Sequence, residues 1–181
     1  MPLVPVDIDS IPTVHTEDVV MLISDSGTIC CRVEAKCWDV FSNKGDSYTY
    51  LPEGVYVERF DSLLHIIGTI AADTAYYFEK KELWQAIGNV VVKNMEGRVF
   101  ETSELFWNQK APSNAVNAFY TDKPVKITEP DGGVSYGRNG FKADQSLNII
   151  RLFSMAGDFN MEESADTLRR DTINTDSIQL P

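Results

Sequence analysis

Residues 70–93 read IAADTAYYFEKKELWQAIGNVVVK and contain the strand pattern from which the fold class is predicted. Two runs rich in Ile, Val, Ala and aromatic residues flank a charged Glu-Lys-Lys turn at 79–81, and the last part opens with Gly88. Short apolar runs with period-two alternation, bounded by turn-forming residues, are typical of β-strands. The stretch therefore predicts a two-strand antiparallel unit.

The same pattern recurs on both sides of this unit. An earlier copy covers 33–38 and 53–58, a later copy covers 101–107 and 121–128, and a half copy covers 141–144 and leads to Ile149. Repeated short strands separated by turn signals predict an all-β sandwich, barrel or roll. Repeats of roughly 30 to 40 residues, each a two-strand layer, stack best as a roll or solenoid in which each unit covers its neighbour.

Alternation along the strands assigns two faces. If Asp73, Glu104 and Asp144 point to solvent, the residues of opposite parity point inward. This predicted inward stripe consists of Val55, Val57, Ile70, Ala72, Tyr76, Trp84, Val90, Val92, Leu105, Trp107, Val125, Ile127, Phe141 and Ile149. The stripe has two interpretations: an ordinary closed core, or two sheets held apart as a channel for an apolar ligand.

The charge of the chain is concentrated in its two ends. The 181 residues include 16 Lys and Arg against 27 Asp and Glu, a net charge of -11. Residues 1–27 carry -5 and residues 154–181 carry -4, which leaves -2 on residues 28–153. Nucleic-acid binding is excluded as a working hypothesis, because it depends on clustered basic residues. The nearly balanced middle does not exclude an anionic glycolipid.

The composition divides the chain into three parts. Residues 1–16 contain three prolines and no strand or helix period, and they are interpreted as a leader or tether. Residues 17–155 form the predicted β-domain. Residues 156–181 are acidic and polar, which predicts a flexible tail. No run reaches the roughly 18 consecutive apolar residues that a membrane-spanning helix needs.

The sequence contains no motif of a known active site. It lacks Gly-x-Ser-x-Gly, His-Glu-x-x-His and the phosphate-binding loop, and its two histidines, His15 and His65, are interpreted as surface or packing residues. Cys30, Cys31 and Cys37 have no zinc-ligand spacing and are interpreted as small buried apolar residues. We therefore expect a protein that is not an enzyme, with no catalytic residue, metal or cofactor.

Several segments, taken in order, resemble a known family. They are Ala72-Asp73, Gly88-Asn89-Val90-Val91-Val92, Tyr120-Thr121-Asp122-Lys123-Pro124-Val125-Lys126-Ile127, Asp131-Gly132-Gly133-Val134-Ser135-Tyr136-Gly137 and Gly140-Phe141-Lys142-Ala143-Asp144. Over residues 17–153 the chain resembles the OstA-like family of periplasmic lipopolysaccharide-transport proteins. The segments Glu17-Asp18-Val19 to Ser24-Asp25-Ser26-Gly27 and Leu51-Pro52-Glu53-Gly54-Val55 look like the version found in Bacteroidetes-type bacteria.

The resemblance implies a twisted β-jellyroll of two antiparallel sheets. It also implies a periplasmic location, with an inner-membrane anchor in an N-terminal segment absent from this chain. The implied partners are lipopolysaccharide, an inner-membrane ABC transporter that supplies the energy, and an LptA-like jellyroll that receives the lipid. The inward stripe would then contact the acyl chains. The alternative is a non-enzymatic β-sandwich module that recognises sugar or protein, for which Tyr77 and Phe106 are the candidate outward-facing aromatic residues.

Overall fold

Fourteen β-strands make up most of the structure, a computed structural model that describes residues 11–25, 27–42, 47–113 and 115–158. The strands are β1 (Val14–Asp25), β2 (Thr28–Phe41), β3 (Tyr48–Leu51), β4 (Val55–Phe60), β5 (Ile66–Ala72), β6 (Thr74–Phe78), β7 (Leu83–Asn94), β8 (Val99–Asn108), β9 (Phe119–Thr121), β10 (Val125–Thr128), β11 (Val134–Gly137), β12 (Phe141–Ala143), β13 (Ile150–Leu152) and β14 (Met155–Asp158). The one helical segment described is a 3-10 turn, Glu79–Lys81. The predicted all-β class is therefore confirmed.

All strand pairs are antiparallel, and several neighbours in sequence are halves of one longer strand. Both β3 and β4 pair with β2, and both β5 and β6 pair with β7. The same division separates β9 from β10, which both pair with β8. The chain is thus an antiparallel meander in which the continuous strands β2, β7 and β8 each pair with a strand that is interrupted near its middle.

These interruptions sort the half-strands into two layers. One layer pairs β4 with β5 and joins β10, β11 and β14 in sequence, whereas the other pairs β3 with β6 and joins β9, β12 and β13. The long strands β2, β7 and β8 belong to both layers. Phe100 in the first layer stacks on Phe141 in the second at 5.4 Å between ring centroids, so the two layers face each other across the core.

The predicted stripe supplies most of this core. All of its residues are buried except Tyr76 and Ile149. Alternating burial along β4, β5 and β10 follows from the pleat, which sends successive side chains to opposite faces. Apolar residues on one face of each half-strand therefore meet between the layers, and their removal from water is the main stabilising contribution.

The prediction that Tyr76 points inward and Tyr77 outward is wrong. Asp73 lies between β5 and β6, where its N–H donates to the carbonyl of Gly88 and its own carbonyl accepts from Gly54. This interruption shifts the alternation by one residue, so that Ala72 and Ala75 are both buried although they are three positions apart. Tyr77 consequently shares the inner face, and Tyr76 lies on the outer one.

The inward assignment of Ile149 is also wrong, since its exposed fraction is 53%. Residues 144–149 form a tight loop in which Leu147, with a φ of 59°, is buried in its place. The carboxylate of Asp144 accepts hydrogen bonds from the backbone N–H groups of Asn148 and Ile149. Asp144 was expected in solvent but is only 5% exposed, because holding this loop requires its carboxylate inside.

The limits of the β-domain differ slightly from the expected ones. Strand β1 begins at Val14, inside the predicted leader, and β14 extends to Asp158, beyond the predicted end of the domain. The rest of the predicted leader up to residue 10 and the tail from residue 159 lie outside the described residues. Within the described part of the chain, no helix has the length and apolar character needed to cross a membrane.

Candidate functional site

A small apolar cavity lies between the two layers. Its volume is about 20 Å³, and its lining combines both layers. The lining residues are Val55, Val57, Ile70, Ala75, Trp84, Ala86, Leu105 and Trp107. Six of these belong to the predicted stripe, and the sequence missed only the two alanines. All of these lining side chains are hydrophobic, and their only polar atoms are the indole nitrogens of the two tryptophans.

The rest of the interior is filled by side chains. Val90, Val92, Val125 and Ile127 are each at most 2% exposed, and the Phe100–Phe141 stack lies beyond them. Among the described residues, the layers therefore enclose a packed core with a small cavity rather than an open channel. Any long apolar ligand has to displace side chains or separate the layers in order to enter.

One polar atom in the cavity wall has no partner. The indole Nε1 of Trp84 is buried and lacks a hydrogen-bond acceptor among the described residues. The neighbouring Trp107 differs, because its Nε1 donates to Gln145 Oε1 at 3.0 Å. A buried donor without an acceptor is costly, which makes the Trp84 N–H a candidate contact for a ligand carbonyl.

A larger pocket of about 490 Å³, called the end pocket below, adjoins this cavity at one end of the layers. Trp107 lines both spaces, and Tyr77 in the pocket stacks on Trp84 of the cavity at 4.6 Å. The pocket also contains Phe60, where the β4–β5 pairing shifts register after Arg59. Aromatic rings thus separate a small dry space from a larger space that is open to water.

Arg59 is the one cationic side chain among the described residues that line this pocket. It is 8% exposed, and its guanidinium carbon lies 5.2 Å from the ring centroid of Trp107 and 5.1 Å from that of Phe119. Among the described residues it has no hydrogen-bond acceptor and no ion-pair partner. Arg59 is not in the predicted stripe, although the alternation through Val55 and Val57 places it on the inner face.

Nearby groups do not neutralise Arg59. Burial raises the pKa of the Cys31 thiol to about 12, so this thiol is uncharged at neutral pH. Burial lowers the pKa of Arg59, while Cys31, Cys30 and Asp144 raise it, and the guanidinium remains protonated. Asp144 forms no ion pair with it, since its carboxylate is engaged by the 144–149 loop.

Five half-buried rings form an outer aromatic cluster on the opposite face of the second layer. Tyr50 stacks on Tyr76 at 4.7 Å, and Phe41 stacks on Tyr48 at 4.9 Å. Phe78 completes the cluster against Tyr48 and Tyr76. The sequence proposed Tyr77 and Phe106 as outward rings, but only Phe106 lies on the outer face, where it stacks on Tyr120.

A second cluster of potential ligands lies on the β1–β2 ladder. His15, Cys37 and Asp39 offer a nitrogen, a sulfur and a carboxylate oxygen that all lie within 4.8 Å of one another. Their donor set is one that zinc accepts, and sequence spacing missed it because paired strands bring the three together. Within the structure they are already joined, with His15 Nδ1 2.6 Å from Asp39 Oδ1. This hydrogen bond raises the pKa of His15.

No protein-family model matches this chain, and no curated protein sequence matches it. Its function is therefore inferred from its own residues, above all those of the apolar interior and the end pocket.

Proposed function

We propose that the chain is an LptC-type component of a lipopolysaccharide export bridge, with an OstA-like jellyroll fold. In this function it binds lipopolysaccharide delivered by an inner-membrane ABC transporter and passes it to an LptA-like jellyroll in the periplasm. The all-β, two-layer architecture supports the proposal, as does the resemblance over residues 17–153. The chain itself needs no active site, because the transporter supplies the energy.

The observation that carries the proposal is the junction at Trp107 between the apolar cavity and the end pocket. Lipopolysaccharide has several acyl chains joined to a phosphorylated sugar portion. Acyl chains require a dry apolar surface, whereas sugars and phosphates require water or polar partners. A space that changes from apolar to polar across one aromatic side chain matches this division.

Binding requires the packed layers to separate. The sheet is not closed among the described strands, since β1 pairs only with β2, and β13 pairs only with β12. Acyl chains that enter between the layers take the place of water-excluding contacts within the core, so the apolar surface stays dry. Ester or amide carbonyls of the chains give the Trp84 N–H the acceptor that it lacks.

The strand edges that have no partner among the described strands support assembly with neighbouring jellyrolls. β1 has 12 residues and exposes Val20 and Leu22, and the far end of the sheet is formed by β13 and β14. An unpaired edge presents backbone N–H and C=O groups to a strand from another protein. Strand addition at the first and last strands joins jellyrolls in a row, which extends the apolar interior from one protein to the next.

Site-specific photocrosslinking tests the proposal. A photoreactive amino acid replaces Trp84 or Leu105 on the inner face, or Val91 on the outer face of β7 as the matched control. Variants are used only if they keep the wild-type melting profile. We expect lipopolysaccharide to crosslink from positions 84 and 105 and not from 91. Crosslinking from position 91 without crosslinking from the inner positions would show that the lipid does not enter the interior.

The outer aromatic cluster favours a second candidate, a module that recognises carbohydrate. Stacked rings on a sheet face offer flat apolar surfaces to sugar rings, and here they accompany a packed interior. This candidate predicts oligosaccharide binding that Tyr50→Ala and Tyr76→Ala weaken while interior positions give no lipid crosslink. Oligosaccharide binding that is unchanged in both tyrosine variants would exclude the cluster as its site.

A further inference from the structure

Arg59 is a largely buried cation that has no anionic partner among the described residues. It comes from β4, continues the inward alternation of Val55 and Val57, and reaches the end pocket over the faces of Trp107 and Phe119. Trp107 and Phe119 stack on each other at 5.6 Å between ring centroids, and the guanidinium contacts both rings. These contacts hold the charge at the pocket wall but give its N–H groups no hydrogen-bond acceptor among the described residues.

Packing alone explains this arrangement poorly. A guanidinium carries five N–H donors. The nitrogens of Arg59 reach the open side of the pocket, but most of its side chain is withdrawn from water, and this is costly for a charged group without a hydrogen-bonded partner among the described residues. Contact with two aromatic faces compensates only in part. Glutamine or methionine would fill the same space at a lower desolvation cost. A persistent unpaired charge at the wall of a pocket is therefore better explained by a ligand that supplies the missing acceptors.

We propose that the end pocket binds a phosphate group of an anionic amphiphile, with Arg59 as the residue that receives its oxygens. The planar fork of a guanidinium matches two phosphate oxygens. Tyr77, Phe60 and Trp107 provide apolar surface beside it for the adjoining part of the same molecule. This inference rests on the proposed function in one respect, since it identifies the group through which the carried lipopolysaccharide is held.

The charges around the pocket restrict which anions fit. Asp25 and Glu82 also line it, and Glu82 is neutralised in part by Lys110 at 3.3 Å. These carboxylates repel a small anion that approaches from water without any apolar contribution. An amphiphile overcomes this repulsion, because its apolar part gains burial against the aromatic rings. The pocket is thus expected to prefer a phosphate on a lipid to free phosphate.

The test compares two ligands on four forms of the protein. The ligands are fluorescent lipopolysaccharide and the same lipid with its phosphates removed, and the proteins are wild type, Arg59→Gln, Arg59→Met and the exposed control Arg138→Gln. In wild type and Arg138→Gln, we expect removal of the phosphates to weaken binding about tenfold or more, as a charged hydrogen-bonded contact implies. In both Arg59 variants, the two ligands should bind equally.

A melting measurement separates ligand binding from a structural role. Replacing an unpaired buried charge with an apolar side chain is neutral or stabilising, so Arg59→Met should melt at or above the wild-type temperature. A clear fall in the melting temperature of Arg59→Met, together with an undiminished preference for the phosphorylated lipid, would overturn the inference and assign Arg59 to packing.

Two further outcomes distinguish a failure of the phosphate site from a failure of the proposed lipid carriage. If wild type binds both lipids equally, lipid carriage stands and the phosphate site at Arg59 is refuted. If wild type binds neither lipid, the proposed function fails, and dodecyl phosphate then tests the site by itself. Binding of dodecyl phosphate that Arg59→Gln weakens about tenfold supports the site, and equal binding refutes it. If inorganic phosphate displaced dodecyl phosphate when both are present at the same concentration, the pocket would not require an amphiphile.

Discussion

Asp144 is the buried carboxylate on which the 144–149 loop depends. It accepts hydrogen bonds from the N–H groups of Asn148 and Ile149 at 2.9 Å each, and from the hydroxyl of Ser146. Burial raises the pKa of Asp144, but the hydrogen bonds from Ser146, Ile149 and Asn148 together outweigh it, so the pKa is lowered. The ionised form is therefore favoured more in the folded protein than in the unfolded chain.

This lowered pKa predicts acid sensitivity. The stabilisation from Asp144 is fully present above its pKa in the unfolded chain, about 3.9, and is lost as the pH falls through the lower folded value. Asp144→Ala leaves the loop donors unpaired and should cost about 2–4 kcal/mol at pH 7. Urea unfolding at pH 7 and pH 3 measures both effects, and the cost of Asp144→Ala should shrink at pH 3. An equal cost at both values would contradict this account of the loop.

Val92 and Val91 are neighbours on β7 that point to opposite faces. Val92 is 1% exposed and Val91 is 39% exposed. Val92→Asp places an unpaired charge in the core and should lower the free energy of unfolding by about 3–5 kcal/mol. Val91→Asp stands opposite Glu101 and should cost about 1 kcal/mol or less.

Chemical unfolding of the two valine variants measures this difference directly. Because both substitutions remove the same side chain from the same strand, β propensity cancels in the comparison. Similar losses at both positions would contradict the assignment of the inner face.

At the scale of elements, the turn between β11 and β12 depends on a close backbone approach. Gly140 has a φ of 85°, and a Cβ at this position would lie 1.9 Å from the carbonyl oxygen of Thr121 at the end of β9. Gly132 also has a positive φ, of 91°, but a Cβ there meets no atom within 4 Å. An alanine would be strained by the positive φ at both positions, but only at Gly140 would its Cβ also overlap another atom.

Gly140→Ala should destabilise the protein far more than Gly132→Ala. Gly132→Ala pays only the cost of a left-handed conformation, about 1–2 kcal/mol. Gly140→Ala also has to move β9 away from β12, which should raise the loss above about 3 kcal/mol. Thermal unfolding of the two variants measures the difference, and equal melting temperatures would show that the β9–β12 contact is not needed for stability.

The sequence predicts the elements better than the places where they are interrupted. Period-two alternation correctly placed Val55, Val57, Val90 and Val92 inside, because each lies within an unbroken half-strand. It failed at Tyr76, because alternation cannot detect that Asp73 leaves the ladder and shifts the phase. Such interruptions depend on backbone hydrogen bonds between distant residues, and these have no local sequence signal.

The candidate site was predicted in part, for a related reason. Its apolar lining could be found by hydrophobicity and parity, as Ile70, Trp84 and Leu105 illustrate. Arg59 has the same inward parity as Val55 and Val57, but a stripe defined by apolar residues does not include a charged one. The end pocket itself could not be predicted, since it arises where Tyr77, Arg59 and Trp107 converge from three separate strands.

At the scale of the whole molecule, residues 11–158 combine a packed interior with outer strands that lack a second partner among the described strands. Its two layers share the long strands β2, β7 and β8, which run from one layer into the other, and the layers face each other without being closed into a barrel among the described strands. Layers that separate through bending of these continuous strands keep the ladders within each layer. Lipid entry is therefore expected to disturb contacts between the layers more than hydrogen bonds within them.

Methyl NMR spectra of the protein with and without lipopolysaccharide test whether the lipid enters between the layers. We expect lipid to shift or broaden the methyl signals of Val57, Ile70 and Leu105, which line the cavity, and to leave those of the exposed Val20 and Leu22 unchanged. Unchanged signals at the three cavity residues under saturating lipid, with changes confined to exposed methyl groups, would contradict carriage of acyl chains between the layers.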